Sequence, residues 1–293
     1  MANARALDKR RKSIRNIRKI TRTMELIATA RYKKAMDRAA AVTAYTDQIT
    51  RIVNRLIAAG TEVDHPLLQQ RERTSTARVL VLASNRGLCG GYNASVMRAA
   101  VQRIEELKSS VPNLIVDASG KRGINGLKFR GVTTDKGHLQ FEDQPAYDEV
   151  EKIANDYLQQ YILGTVDRLD VVYTKFISTS KQIAMVETLL PLGSISSGTI
   201  DSGMGKSAEF EFLPSAEMIL EEIVPTSFKA KLFKCFLDSA VSEQVARMVA
   251  MKGATESAGD MIKQLSMTYN RARQSQITGE IMEIIGGVEA LAK

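Results

Sequence analysis

The chain has 293 residues, of which 44% are hydrophobic, and this apolar content excludes a disordered protein. It carries 41 Lys and Arg against 33 Asp and Glu, a formal net charge of +8, and only 5% of its residues are aromatic. Cys89 and Cys235 form no CxxC pair, which favours a reducing compartment. No apolar run reaches the roughly eighteen residues of a membrane span, and the first residues lack a signal-peptide core. We therefore expect a soluble chain without a transmembrane segment.

The amino-terminal residues 1–60 are predicted to form one long helix that ends at Gly60. They lack proline, and every seventh residue from Leu7 falls into one apolar line. This line consists of Leu7, Ile14, Thr21, Ala28, Ala35, Val42, Ile49 and Leu56. Long arginine stems can cover apolar surface in the companion core line. That companion line is predicted at Arg10, Ile17, Met24, Arg31, Arg38, Tyr45, Ile52 and Ala59.

The residues from Thr226 to Lys293 are predicted to form a second long helix, because they contain no proline and carry an apolar stripe at helical spacing. A short helix from Ala216 to Val224 is predicted to precede it, with Pro225 kinking or restarting the helix. The long helix reaches roughly 100 Å at about 1.5 Å per residue, too long to fold back inside one globule. The core lines of the stripe are predicted at Leu237, Val241, Gln244, Met248, Met251, Thr255, Ala258, Ile262, Leu265, Tyr269, Ala272, Gln276 and Gly279.

The narrow stripe of the second helix fits one partner helix, and the amino-terminal helix is the partner that the chain supplies. We therefore predict that the two terminal helices pair as an antiparallel coiled coil. Separate packing of the two helices on a larger helical domain is the alternative, which the helix lengths disfavour.

Between the two helices the hydrophobic period changes and predicts a small, Rossmann-like α/β domain with a mainly parallel sheet. The fold class is thus α/β plus a long coiled coil. The stretch Gly120 to Gly123 is predicted to be a turn. Predicted strands are 77–83, 113–118, 170–177, 183–190 and 209–212, and predicted helices are 94–108 and 146–163. The predicted domain bounds are 1–60 for the amino-terminal coiled-coil helix, 61–75 for a linker, 76–192 for the central domain, 193–208 for a flexible link, and 209–293 for the mainly helical carboxy-terminal segment.

A glycine-rich turn with Gly87, Gly90 and Gly91 follows the first predicted strand, at the place where nucleotide folds bind phosphates. It matches neither GxGxxG nor GxxxxGK[ST], so we interpret it as a tight turn and keep a nucleotide-binding enzyme as an alternative. Cys89 has no histidine near it in sequence to serve as a base, and no metal-ligand spacing occurs. We expect no catalytic residue, no metal and no cofactor.

The positive charge is concentrated in the amino-terminal helix, where residues 1–58 carry fifteen Lys and Arg against four acids. A basic helix of this kind suits phosphates, an anionic membrane surface or an acidic protein partner. A coiled coil that binds nucleic acid is the less favoured alternative, because no aromatic residue interrupts the basic run to stack on bases.

The end of the second helix is polar and carries glycines in an unusual pattern. Gly279, Gly286 and Gly287 each cost roughly 1 kcal/mol inside a helix. Their polar neighbours include Arg271, Arg273, Gln274, Gln276 and Thr278. A polar helix end with little side-chain bulk fits inside a narrow partner better than it fits water.

Three blocks in this chain resemble the γ subunits of F-type ATP synthases. The blocks are Lys19 to Ala28 (KITRTMELIA), Ser84 to Asn93 (SNRGLCGGYN) and Ile277 to Gly287 (ITGEIMEIIGG). Arg271 to Gln274 (RARQ) also matches, whereas Val288 replaces the alanine that usually follows the last block. The chain lacks the inserted cysteine pair of plastid members, so the resemblance is to the bacterial type.

The resemblance implies a central rotor stalk that couples ion-driven rotation of a membrane ring to ATP synthesis or hydrolysis in the catalytic subunits. The stalk itself is not an enzyme. The implied partners are the α and β subunits of the F1 ring, the ε subunit and the c-ring, with no nucleic acid. The implied location is peripheral, on the cytoplasmic face of the bacterial inner membrane.

The resemblance also implies partner contacts for five residues. Gln274, Thr278 and Glu280 match polar contacts with loops of the catalytic subunits, and Arg273 is their neighbour. Met24 matches a position close to an acidic lever loop of a catalytic subunit. We therefore expect the contact surface to include both the carboxy-terminal helix and the amino-terminal block.

Overall fold

The computed structural model describes residues 4–58, 65–69, 71, 73–141, 144–192 and 216–291. The predicted flexible link 193–208 and the predicted strand 209–212 lie outside these residues. The described elements are α1 (Ala4–Ala58), β1 (Thr76–Leu82), α2 (Tyr92–Ser110), β2 (Asn113–Ser119), α3 (Lys121–Phe129), β3 (Gly137–His138), α4 (Tyr147–Ile162), β4 (Arg168–Ser178), β5 (Lys181–Leu190) and α5 (Ala216–Leu291). The chain divides into a terminal unit, Met1–Thr29 with Arg247–Lys293, and a central unit, Ala30–Ala246.

In the terminal unit, α1 and α5 pack as an antiparallel pair. The Arg11 guanidinium lies 4.6 Å from the centroid of the Tyr269 ring. Farther along α1, the Thr255 hydroxyl donates a hydrogen bond of 2.9 Å to the Thr21 hydroxyl. Residue numbers therefore rise along α1 as they fall along α5, which confirms the predicted antiparallel pairing.

The apolar line that begins at Leu7 faces α5 in the terminal unit, as predicted. Leu7, Ile14 and Thr21 are half-buried and Ala28 is buried. On α5, the predicted core positions of this unit are buried or half-buried as far as Ala272. These are Met248, Met251, Thr255, Ala258, Ile262, Leu265, Tyr269 and Ala272.

The companion core line of α1 is confirmed in the terminal unit only at Met24, which is half-buried, and the line one residue later is the more buried of the two. Arg10 is exposed and Ile17 is 47% exposed, whereas Arg11 is half-buried and Glu25 is buried. Core positions of a heptad are separated alternately by three and four residues, so Leu7 is compatible with either Arg10 or Arg11. The apolar Ile17 favours the first choice, but the contact with α5 selects the second.

In the central unit, the strands form one sheet in the order β3-β2-β1-β4-β5. The pairs β1–β2, β1–β4 and β2–β3 are parallel, and β4–β5 is an antiparallel hairpin. The mainly parallel sheet, four predicted strands and two predicted helices are thereby confirmed. Side chains of β1 alternate: Val79 and Val81 lie in the core beneath α2, while Leu80 and Leu82 lie in the core beneath α4 and α5.

The segment predicted as a turn at Gly120 to Gly123 instead begins α3. Gly120 has a φ of 90°, and a Cβ there would overlap the carbonyl oxygen of Ala83, so the chain passes the end of β1 too closely for any other residue. The helix was not predicted because nine residues with two internal glycines carry too short an apolar pattern to show a helical period.

The helix α5 is continuous through Pro225, although a kink or restart is predicted there. Leu220 and Val224 before the proline, and Phe228 and Leu232 after it, are fully buried in the same core. This stripe, with a spacing of four residues, aligns the two segments on one surface. Its burial outweighs the roughly 3 kcal/mol that proline costs inside a helix.

A buried ion pair links β1 and β2 beneath α4. The Arg78 guanidinium lies 2.6 Å from the Asp117 carboxylate, and the two side chains are 5% and 0% exposed. The Tyr157 hydroxyl of α4 donates a further hydrogen bond of 2.8 Å to Asp117. Removing one partner of a buried ion pair destabilises a protein more than removing one partner of an exposed pair.

Asp117→Ala is expected to lower the free energy of unfolding by about 3–5 kcal/mol, because it leaves the buried Arg78 guanidinium with only a longer contact of 3.6 Å to the exposed Asp135 carboxylate. Urea unfolding followed by circular dichroism measures the change. The control is Asp156→Ala, which removes a carboxylate 41% exposed beside Lys136 and should cost only about 0–1 kcal/mol. Equal effects of the two variants would contradict the structural role of Asp117.

Asp238 of α5 supplies a second prediction, because its side chain is buried in the central unit. Burial raises the pKa of the Asp238 carboxyl to about 6, while Lys234 and Lys175 oppose the shift. The contribution of Asp238 to the free energy of unfolding is therefore fully present below the ordinary carboxyl pKa. It is lost as pH rises through about 6, because the buried carboxyl then has to ionise. Asp238→Asn should stabilise the protein at pH 7.5 by up to about 3 kcal/mol. Urea unfolding between pH 4 and 8 should also show a flatter profile for the variant, and an unchanged profile would contradict the prediction.

Candidate partner-contact surface

The end of α5 extends past the last seam position without cover from any described residue. Ala272 is half-buried, and every residue whose side chain is described from Arg273 to Leu291 is exposed. We call Arg273–Leu291 the tip. Its exposed apolar side chains are Ile277, Ile281, Met282, Ile284, Ile285, Val288 and Leu291. A surface this apolar is typical of a partner-binding site.

Four of the five predicted contact residues lie on the tip, and all four are exposed: Arg273, Gln274, Thr278 and Glu280. Gln274 and Thr278 are four residues apart and share one helix face, whereas Arg273 and Glu280 are seven apart and share another. The tip therefore presents polar groups on two faces, each with isoleucines beside them.

Met24, the fifth predicted contact residue, is not close to the other four. It lies on α1 one turn from Thr21, whose hydroxyl bonds to Thr255. Thr255 is eighteen residues before Arg273, a separation of roughly 27 Å along the helix. Met24 is half-buried at the seam. Met24 therefore lies on a different part of the surface of the paired helices from the tip.

Gln276 also lies exposed on the tip, although it is absent from the predicted contact residues. Its side-chain amide donates a hydrogen bond of 3.0 Å to the Glu280 carboxylate. The i,i+4 spacing of glutamine and glutamate was a signal for this pair in the sequence. The bond restricts the rotamers of Glu280 and so orients its carboxylate.

The terminal-unit part of α1 adds a basic face. Asp8 is bonded to Lys12 and Arg11, which lower the pKa of its carboxyl, and Glu25 is bonded to Arg22. Five further cations of this stretch form no ion pair with another described residue. They are Lys9, Arg10, Arg15, Arg18 and Lys19, all exposed. Such a face is complementary to acidic groups on a partner.

The glycine-rich turn in the central unit lies beside α3, whose first backbone amides already donate hydrogen bonds to other groups of the protein. The Asn85 side-chain oxygen accepts a hydrogen bond of 3.0 Å from the Lys121 amide, and the Ser84 carbonyl accepts one of 3.0 Å from the Arg122 amide. These are the first amides of α3. At the start of α2, the helix that follows the turn and would present its amides to a phosphate, the Tyr92 amide donates a hydrogen bond of 3.1 Å to the Cys89 carbonyl. The buried Cys89 thiol accepts a hydrogen bond from Asn93. The geometry supports a tight structural turn.

A cleft of about 410 Å³ lies beside this turn, at the carboxyl ends of β1 and β2. Its charged lining residues are Arg86, Lys121 and Glu243. Neither a cysteine nor a histidine lines it, so the lining offers no thiol nucleophile and no imidazole base. Among the described residues there is no cluster of metal-ligating side chains and no helix apolar enough to cross a bilayer.

Comparison with known proteins identifies the family. A family model described as ATP synthase matches residues 3–291. A protein of Rhodopirellula baltica named ATP synthase gamma chain is 79% identical over 294 residues, covering 99% of each chain. One of the same name from Leptospira biflexa is 37% identical over 292 residues, covering 100% of each.

Solved structures show the same fold. A chain in Euglena gracilis mitochondrial ATP synthase (OSCP/F1/c-ring) matches with a TM-score of 0.67 and 18% identity, covering 98% of this chain and 94% of that one. A chain in the Tetrahymena thermophila central stalk/c-ring matches with a TM-score of 0.57 and 20% identity, covering 80% and 99%. Because the family model and the bacterial relatives extend over nearly the whole sequence, this chain belongs to the ATP synthase gamma chain family.

Proposed function

We propose that the chain is the central rotor-stalk subunit of the F1 sector of an ATP synthase. It couples ion-driven rotation of a membrane ring to conformational changes in catalytic subunits that make or hydrolyse ATP, and it performs no bond chemistry itself. The observation that carries the proposal is the tip, where α5 continues beyond its buried seam with exposed apolar and polar side chains. An exposed apolar surface of this kind is typical of a site that a partner covers.

Torque is carried by the paired helices. Thr21 bonds to Thr255 across the seam, and Arg11 stacks on Tyr269, so both contacts resist sliding of one helix along the other. Polar groups at core positions of a coiled coil fix the register at some expense of stability. A fixed register lets the pair turn as one body.

The basic face of α1 suits acidic loops of the catalytic subunits, with Met24 near one such loop. Exposed ion pairs contribute only about 0–1 kcal/mol each, so the contacts can form and break during a rotation. On the tip, Gln274, Thr278 and Glu280 bind polar groups of the same subunits, with Arg273 beside them. These contacts transmit the orientation of the stalk to the catalytic subunits.

The partners of the whole chain are the α and β subunits, the ε subunit and the c-ring. The names of the bacterial relatives support a bacterial enzyme. The chain is then peripheral, on the cytoplasmic face of the inner membrane. Nucleic acid is a less suitable partner for the basic face, because no aromatic residue lies among the cations between Lys9 and Arg22.

Co-expression with α and β subunits is the direct test of the proposed function. The chain is expected to co-purify with them at one copy per six ring subunits. Failure to associate would overturn the assignment. Retention of the free chain on DNA at physiological salt, with affinity falling steeply as salt rises, would favour the nucleic-acid alternative instead.

Removal of Ile277–Lys293 is expected to weaken ring assembly and ATP hydrolysis while leaving the fold intact, because every residue whose side chain is described in that segment is exposed. Hydrogen exchange of the central unit measures the fold, and its protection should be unchanged. Loss of that protection would show that the tip stabilises the fold rather than binding a partner.

Single substitutions on the tip should slow ATP hydrolysis by the assembled ring without preventing its assembly. Thr278→Ala and Glu280→Gln are each expected to slow ATP hydrolysis by the assembled ring about two- to tenfold, a change of roughly 0.4–1.4 kcal/mol in the barrier. Thr268→Ala is the matched control, since Thr268 is an exposed α5 residue outside the tip. An equal loss in the control would contradict a specific role for the tip residues.

A further inference from the structure

The end of α3 presents the one phenylalanine that the described part of the chain leaves exposed. Phe129, the last residue of α3, is 91% exposed, whereas Phe141, Phe228 and Phe236 are buried. Lys128 and Arg130 on either side of it are also exposed. The result is an aromatic ring between two cations on the surface of the central unit.

This arrangement is held rigidly by the turn that ends α3. The Val132 amide donates to the Leu127 carbonyl, and the Gly131 amide donates to the Lys128 carbonyl. Gly131 has a φ of 73°, so the four residues form a Schellman cap. Leu127 is fully buried and Val132 packs against the same core. The exposure of Phe129 is therefore a property of a well-formed helix end and not of a frayed one.

The charge of α3 is one-sided. Lys121–Phe129 contains three cations and no acid, and Arg130 adds a fourth. None of the four forms an ion pair with a described residue, and the nearest following acid, Asp135, faces Arg78 at 3.6 Å. Lys121 and Arg122 lie at the amino end of α3, beside the cleft and Gly87. The helix dipole accounts for cations at the carboxyl end, but it gives no reason for an exposed phenylalanine between them.

The position of Phe129 in the central unit is fixed by the direction of α3. Gly120 follows the carboxyl end of β2, and α3 returns antiparallel to the strand, so Phe129 lies toward the amino-terminal edge of the sheet. The beginning of α5 lies toward the same edge, because Glu221 is near His65 and Leu67 accepts a hydrogen bond from Leu192. Phe129 is thus at the end of the central unit where α5 starts.

We propose that this surface, Lys128, Phe129 and Arg130, contacts an anionic bilayer. Phe129 enters the headgroup layer while the cations pair with lipid phosphates, the combination typical of interfacial membrane contacts. A stable protein interface would need a larger apolar centre than one ring surrounded by charge. The inference rests on the proposed function only in that a stalk attached to a membrane ring meets a bilayer.

The absence of tryptophan from the sequence allows a test at this site alone. In Phe129→Trp the new indole is the only one in the chain, and the full chain is mixed with vesicles of phosphatidylcholine with or without about 30% phosphatidylglycerol. We expect a blue shift of the emission, and quenching by brominated acyl chains, with the anionic vesicles only. Leu139→Trp is the matched control, because Leu139 is 53% exposed and lines the cleft at the opposite edge of the sheet.

Charge reversal separates this site from the basic face of α1, which can also bind anionic vesicles. Adding K128E and R130E to Phe129→Trp should raise the lipid concentration for a half-maximal shift about tenfold or more. Vesicle binding that leaves the indole emission of Phe129→Trp unchanged, or an equal response to uncharged vesicles, would overturn the proposal. Co-purification of the same variant with the ring subunits reports on the stalk function independently and is expected to be normal.

Discussion

The structure depends on burial of one apolar stripe along α5, which meets a different surface in successive parts of the helix. Within the central unit, Leu220 and Phe228 complete the core on one face of the sheet. Two turns farther on, Leu237 and Val241 pack against Ala35 of α1. Each fully buried large side chain contributes roughly 1.5–3 kcal/mol. The helix is therefore anchored to the sheet by side chains too large to slip, so that rotation of the sheet domain must turn α5 with it.

The sequence predicted the elements whose apolar pattern is long, and it missed those decided by tertiary contact. The two long helices and the parallel strands have enough repeats for their period to be recognised. Pro225 was assigned as a break because a local rule could not include the buried Leu220 and Phe228 on either side of it. The short α3 needed the close approach of Gly120 to Ala83, which involves a strand nearly forty residues earlier in the chain.

The composition of the tip could be predicted from the sequence, but its arrangement could not. The polar and glycine residues of the tip indicated a helix end that fits inside a partner, and the structure leaves Gln274 and Glu280 exposed there. Sequence could not show that Met24 lies far along the seam from them, since that distance depends on the antiparallel register. The i,i+4 spacing of Gln276 and Glu280 indicates that their side chains can meet, but only the structure shows that they form a hydrogen bond.

The burial of the α5 side chains decreases along the helix. This gradient separates the part of α5 that is anchored in the protein core from the part that can contact a partner. Large apolar side chains such as Phe228 are buried against the sheet, and the seam of the terminal unit contains Thr255 and Tyr269 beside polar groups of α1. On the tip, every residue whose side chain is described is exposed. Because local opening is least costly where the least apolar area is buried, the free energy of opening falls toward the tip. A partner that encloses the tip supplies the missing burial, so the ordering of this end of the helix becomes linked to assembly while the anchored end is stable without it.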